Sequence, residues 1–280
     1  MNIAIHPLTT LDDLEACELL QRSLLGERAR SPLSVPILAA IEEAGGLLLG
    51  AWEGGTLYGA LVDLVAADSA SRFTCIHAVA EGARNKGIGS LLRMRERRIH
   101  LANGIDLIRW WMDPLRSDQS HLAFNKLGAI GSGYLRNALG PLSDRLNSGL
   151  ASDRIRIEWW LDSPRVRRGL EQGLPLSHFE LSFHQMEVLT KTTRLSTGSR
   201  RLVGFDSSPT HPYVLAEIPV DLDRLRAEDI DSARTWRLGL RELYPLLFSL
   251  GYTIVGLVHE GGRSFHLFER SGREEVLDRG

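Results

Sequence analysis

Residues 81–89 read EGARNKGIG, a polar, glycine-rich break between an apolar run at Phe73–Ala80 and a helical stretch at Ser90–Asn103. Ile88, Leu91, Leu92, Arg95, Ile99 and Ala102 fall on one side of that stretch at helical spacing, and Gly104 stops it. A strand, a tight turn and a helix start in succession point to an α/β chain. Glycine lets a backbone turn sharply and approach an anion closely. The helix that follows opens with unpaired N–H groups and a positive dipole end, so the turn suits a phosphate or pyrophosphate, with Arg84 and Lys86 adding charge. Spacing alone is equally consistent with a plain glycine turn before a helix. The segment fits neither the GxxxxGK[ST] nor the GxGxxG fingerprint.

The pattern around it is mixed. Thr10 suits the N-cap of a helix over Leu11–Leu24, and a short helix follows near Val35–Glu43. Leu47–Trp52 and Leu57–Val65 read as a hairpin around Glu53-Gly54-Gly55. Ile105–Met112 reads as a strand ending at Asp113-Pro114, Ser117–Leu127 as a short helix and Ile155–Leu161 as a strand. Ser163–Gly169 reads as a basic, turn-prone link and Ser207–Pro212 as a loop. Beyond the link lie weaker strand signals at Phe179–Leu189 and Tyr213–Val220, a helix over Glu228–Ser249, and a hairpin from Tyr252–His259 and Ser264–Glu269. These divide the 280 residues into 1–162 and an α/β extension over 163–280.

Charge and cysteine count exclude several classes. Lys plus Arg number 33 and Asp plus Glu 35, a net charge of −2 that argues against a nucleic-acid partner. Two cysteines, Cys17 and Cys75, do not make a disulfide scaffold and fit a reducing, cytoplasmic setting. The start MNIAIHPLTT lacks the basic-then-apolar pattern of a leader, and no apolar run reaches the roughly 20 residues of a membrane span.

Arg84, Gly87 and Gly89 in their strand–turn–helix setting resemble motif A of the GNAT acyltransferase superfamily, Arg/Gln-x-x-Gly-x-Gly/Ala. A looser match, Phe124-Asn125-Lys126-Leu127-Gly128-Ala129, resembles that superfamily's Tyr-x-Lys-x-Gly-Phe helix end. The run Trp111-Met112-Asp113-Pro114-Leu115, with Tyr134, Asp153-Arg154 and Glu158-Trp159, resembles a bacterial branch with a C-terminal extension. That branch includes acyl-CoA:amino-acid N-acyltransferases. The resemblance covers residues 3–161. It implies a mixed central sheet with flanking helices, and acetyl-CoA or another acyl-CoA, such as succinyl-CoA, as co-substrate. The implied activity is transfer to the amine of a small molecule, an amino acid among the candidates, by direct attack on the thioester and without a metal. It assigns coenzyme contacts to Ala78 and Val79 on the strand, to Arg84, Asn85, Lys86, Gly87, Ile88, Gly89 and Ser90 through the turn, and to Asn125. The extension then serves as a lid or a homodimer element. Two departures stand out: Phe124 replaces the usual Tyr and has no proton to give, and Asp118 stands where an Asn is common. Phe124 keeps a second reading alive, a non-catalytic sensor of acyl-CoA.

Amine acylation needs a neutral amine, a stabilised oxyanion and a departing thiolate. The resemblance gives the oxyanion an N–H near Val79. Asp113, at a strand end, is a base candidate or a plain turn residue; Glu158 is a base candidate or a solvent-facing strand residue. Tyr134 is a substitute acid or a packed Tyr, and His77 reads as a core histidine. Arg93, Arg95, Arg97 and Arg98 read mostly as a solvated helix face, with one or two free to meet a coenzyme phosphate. His178, His184 and Glu187 lack metal-ligand spacing.

Overall fold

The computed structural model describes residues 2–26, 29, 32–172 and 183–279. It separates into two compact units, Met1–Trp110 with Ser143–Ser148, and Trp111–Leu142 with Gly149–Gly280. These bounds differ from the 1–162 and 163–280 division read in the sequence, because strands on both sides of residue 162 share the second unit. The expected class holds: a mixed α/β chain with a mostly antiparallel sheet arrangement flanked by helices.

In the first unit, β1 (Ala4–Pro7), β2 (Leu47–Glu53), β3 (Thr56–Val65) and β4 (Ser71–Val79) pair antiparallel in that order, and β5 (Leu107–Met112) joins β4 in parallel. Helix α1 (Leu11–Leu25) starts as its sequence dictates: the Thr10 hydroxyl accepts from the Asp13 N–H, and the Asp13 carboxylate accepts from the Thr10 N–H at 3.0 Å. One apolar cluster joins α1 and α2 (Val35–Glu43) through Leu14, Cys17, Leu38, Leu48 and Val62. A second joins α3 (Ile88–Ala102) through Leu49, Leu61, Ile88 and Leu92. Gly59 allows that second contact: a β-carbon there would lie 2.9 Å from Ile88 Cγ2 and 3.2 Å from the Ala78 carbonyl.

The second unit orders its strands β7 (Arg154–Trp160), β6 (Ile130–Leu135), β12 (Tyr252–Glu260), β13 (Arg263–Arg270), β11 (Tyr213–Ile218) and β8 (Glu187–Val188). A separate hairpin is formed by β9 (Thr190–Arg194) and β10 (Arg200–Phe205). Helix α4 (Ser117–Ser120) runs into one π turn at His121–Lys126. The predicted link is instead helix α5 (Pro164–Gln172): Pro164 opens it, the Ser163 hydroxyl accepts from the Val166 N–H, and Arg165 is buried, donating to the carbonyls of Gly128 and Val255. The helix expected over Glu228–Ser249 is α7 (Ile230–Ser249), capped by Asp229; a short helix not expected from the sequence, α6 (Leu222–Glu228), precedes it. Pro245 lies inside α7 and has no N–H to give; Arg136 Nη2 donates to the stranded Arg241 carbonyl at 3.2 Å. The chain closes with α8 (Arg273–Asp278). Of the Phe179–Leu189 strand signal, 179–182 lie outside the described residues, as does His178; only Glu187–Val188 pairs among the rest. No described helix is long and apolar enough to cross a membrane.

Replacing Gly59 by Ala should lower stability by about 1–3 kcal/mol, because α3 must back away from β3 to admit the methyl group. Urea unfolding checks this: the midpoint should drop with the slope unchanged.

Candidate functional site

The glycine turn is built from β4 outward. The β4–β5 ladder runs only from Ser71↔Leu107 to Phe73↔Arg109, while β4 continues to Val79 with β3 on its other edge. The edge of β4 from Thr74 to Val79 is therefore not paired with β5. Ala78 and Val79, half-buried, sit at this end, opposite Ala60 and Gly59.

A single 3₁₀ turn at Glu81–Ala83 follows, then Arg84 in extended conformation. Asn85 (φ 61°) and Gly87 (φ 82°) take left-handed conformations that reverse the chain into α3. Gly87 is the N-cap and has no side chain, so nothing in that position accepts from the helix's first amides. The first helical bond is made by the Leu91 N–H to the Gly87 carbonyl at 3.0 Å. The N–H groups of Ile88, Gly89 and Ser90 precede it and point out of the helix start. Space beside Gly87 is open: a β-carbon there would meet nothing within 4 Å. Lys86 Nζ folds back onto the Gly82 carbonyl at 2.9 Å, and Arg84 carries no ion pair among the described residues. His77 holds the first turn of α3 to β4, its Nε2 lying 3.1 Å from the Gly89 carbonyl, as a core histidine should. The structure thus brings Arg84, Lys86 and the amides of Ile88 to Ser90 to one turn.

Of the four arginines of α3, Arg93 departs from the expected solvated face. It is buried, donates to Thr74 Oγ1 at 2.8 Å and to both Glu96 oxygens at 2.9 Å, and stacks over Trp110. Next to it His100 Nε2 lies 2.7 Å from Asp63 Oδ2. Asp63, Glu96 and His100 are the one group of three ligating side chains within mutual reach among the described residues, and protein donors already engage them.

The residues chosen for proton transfer lie in the second unit, and two of them are occupied. Asp113 is buried and accepts two bonds from Arg237 Nη2, at 2.7 and 2.8 Å, with Arg154 at 3.7 Å. Burial pushes its pKa up, but Arg237 and then Arg154 outweigh this and hold it below the usual carboxylate value. Asp113 also accepts from the Leu115 N–H, the turn role its place before Pro114 suggested. Tyr134 donates to Asp153 Oδ2 at 2.9 Å, and burial and that negative charge raise its pKa well above the ordinary phenol value. It is a poor proton donor in this setting. Arg241 grips Asp153 with two bonds, at 2.6 and 2.8 Å, and Arg237 reaches the Asp153 carbonyl. Asp113 and Tyr134 thus belong to one network that fastens α7 to β6 and β7.

Glu158 is not on a solvent face, contrary to the expectation from alternation. It is 7% exposed and accepts from Ser132 Oγ at 2.9 Å and Trp160 Nε1 at 3.1 Å. It lines an open hollow of about 520 Å³. The side-chain amide of Asn125, expected at the coenzyme, is used on both atoms by the Leu257 backbone, at 2.7 and 2.8 Å. Phe124 is a core residue set edge-on to His266. Sequence reading missed Arg237 and Arg241; with Tyr244 they recur at i, i+4 and i+7 on α7, a spacing that places them on one face.

His266 is fully buried. The Ser120 hydroxyl already donates to the Arg116 carbonyl, so His266 Nε2–H donates to Ser120 Oγ (2.8 Å) and Nδ1 accepts from the Tyr244 hydroxyl (2.7 Å). Burial pushes its pKa down to about 3.

No protein-family model matches the chain, and no curated protein does. Solved structures do. The ribosomal-protein-S18-alanine N-acetyltransferase of Escherichia coli is 18% identical with a TM-score of 0.45, over 56% of this chain and 92% of that one. A GNAT superfamily phosphinothricin acetyltransferase of Sinorhizobium meliloti, in complex with acetyl-CoA, is 20% identical with a TM-score of 0.46, over 56% of this chain and 88% of that one.

Two outcomes follow for the buried charges. Asp113→Asn leaves Arg237 buried without its counter-charge and should cost about 3–5 kcal/mol; chemical denaturation reads it. His266 must stay neutral when folded, whereas the unfolded ring titrates near 6.5. Its contribution is therefore fully present above pH 6.5 and is lost as pH falls towards 3, by an amount on the order of a few kcal/mol. His266→Gln should remove that share of the acid limb in urea midpoints measured between those pH values.

Proposed function

We propose that the chain is an acyl-CoA-dependent N-acyltransferase, with an acetyl or succinyl donor, acting on the amine of a small molecule; among acceptors, the sequence resemblance favours amino acids. One observation carries the reading. A glycine-capped helix start, with three amides unengaged, sits at the end of a strand whose outer edge has lost its partner.

In this reading the N–H groups of Ile88, Gly89 and Ser90, with Arg84 and Lys86, hold the coenzyme diphosphate. The pantetheine arm lies along the open edge of β4, in the manner of an added strand. The thioester carbonyl then meets an N–H at Ala78 or Val79. A neutral amine attacks the carbonyl carbon, the N–H stabilises the oxyanion, and the C–S bond breaks to release the thiolate. The amine must lose its proton. Asp113 and Tyr134, two of the three sequence candidates for taking it, are spent on α7; Glu158, the third, accepts from Ser132 and Trp160. Two unpaired thiols, Cys17 and Cys75, suit a reducing cytoplasm.

The buried Phe124, which cannot protonate a thiolate, favours the second reading, an acyl-CoA sensor. Coenzyme A should raise the unfolding temperature of the full chain, by about 2.7 kcal/mol of added stability at a hundred times its dissociation constant. Ser90→Glu places a carboxylate at the third helical position, which suits the helix but repels a diphosphate, so basal stability should hold while the protection vanishes. No protection of the parent chain at millimolar coenzyme A rejects the reading. Thiol release from acetyl- or succinyl-CoA with an amine panel separates enzyme from sensor.

A further inference from the structure

The second unit holds a hollow whose lining is not explained by packing. Its floor is Glu158 on β7 and Ser132 on β6; its walls are Arg156, Phe248, Tyr252 and Arg273. Ser132 is the extra residue of a β-bulge: Gly131 pairs with Ile157 and Gly133 with Arg156, which leaves Ser132 unpaired between them. Bulges re-aim side chains, and this one turns the Ser132 hydroxyl onto Glu158 Oε1. β6 meets β12 only at Gly131↔Ile254, so the strands part on the side where the hollow opens, beside Thr253.

The charges are what a ligand would answer. The Glu158 carboxylate is nine-tenths buried, yet only two neutral donors reach it, and the nearest cation, Arg273, stands 3.7 Å off and lies over the Trp160 ring. Arg156, on the same side of β7 about 7 Å along the strand, makes no hydrogen bond or ion pair among the described residues. A buried carboxylate with a single loose ion pair to Arg273 thus sits beside guanidiniums that have spare donors, with Glu274 a second carboxylate in the lining. A simple anion would be repelled by Glu158, and a simple cation by the arginines.

We propose that this hollow binds a zwitterion of the α-amino-acid class, its ammonium on Glu158 and Ser132, its carboxylate on Arg156 and Arg273, and its side chain against Phe248 and Tyr252. The binding does not rest on the acyl-transfer reading.

Thermal shift of the full chain with each standard amino acid, without acyl-CoA, screens the site, and calorimetry of the best one measures it. The amino acid should bind. Its methyl ester and its N-acetyl derivative, each lacking one charge, should bind at least about tenfold more weakly. Arg156→Gln, at an exposed position that the fold does not use, should weaken the amino acid by about tenfold while leaving coenzyme A protection intact. The inference is overturned if no amino acid binds, or if the ester or the N-acetyl form binds as tightly as the parent. Either result leaves the coenzyme A test to stand or fall by itself.

Discussion

A helix can hold an anion at its start only if its own first amides have no nearer acceptor. Three helices here give those amides a side-chain acceptor: Thr10 caps α1, Asp221 caps α6 and Asp229 caps α7. α3 does not, because Gly87 stands where a capping oxygen would be. With glycine at the cap the loss relative to a side-chain cap is only on the order of a few tenths of a kcal/mol. The apolar seat of Ile88 and Leu92 against β3 offsets that loss, and Gly59 makes the seat deep enough. The same close approach brings His77 to the Gly89 carbonyl, which keeps strand end and helix start in register.

The second unit is organised by a different constraint. Two arginines on α7 enter a region of low dielectric and take Asp113 and Asp153 with them. Ion pairs of this kind contribute little net stability against an apolar alternative, yet losing one partner is expensive. Their effect is selective: α7 can seat only in the rotation that brings Arg237 and Arg241 to their carboxylates. Asp113 and Tyr134 therefore look chemically equipped in the sequence while their atoms are committed to assembly.

The turn at Arg84–Gly89 was legible because its signals are local: glycines, a polar break and a helical period immediately after it. β6 was not, since Gly131, Ser132 and Gly133 have poor strand propensity and only pairing with β7 extends them. α5 has the sequence signature of a link because its arginines and Gly169 mask a helix start that Ser163-Pro164 announces. Alternation identified the face that Glu158 occupies but not what covers it, since Ser132 arrives through a bulge and Arg273 from a helix more than a hundred residues away. Asn125 looked free for a coenzyme because nothing nearby in sequence reveals that the Leu257 backbone claims both ends of its amide.

Pro245 gives α7 two mechanical characters. Ahead of it the helix is clamped by arginines; after it comes a short length that supplies Phe248 and, just beyond, Gly251. Where the proline sits, a surface side chain from Arg136 replaces a backbone rung. Phe248 is thereby the one wall of the hollow that stands on a helix past its missing rung, and its place is fixed from outside that ladder, by the Phe268 ring 5.9 Å away on β13.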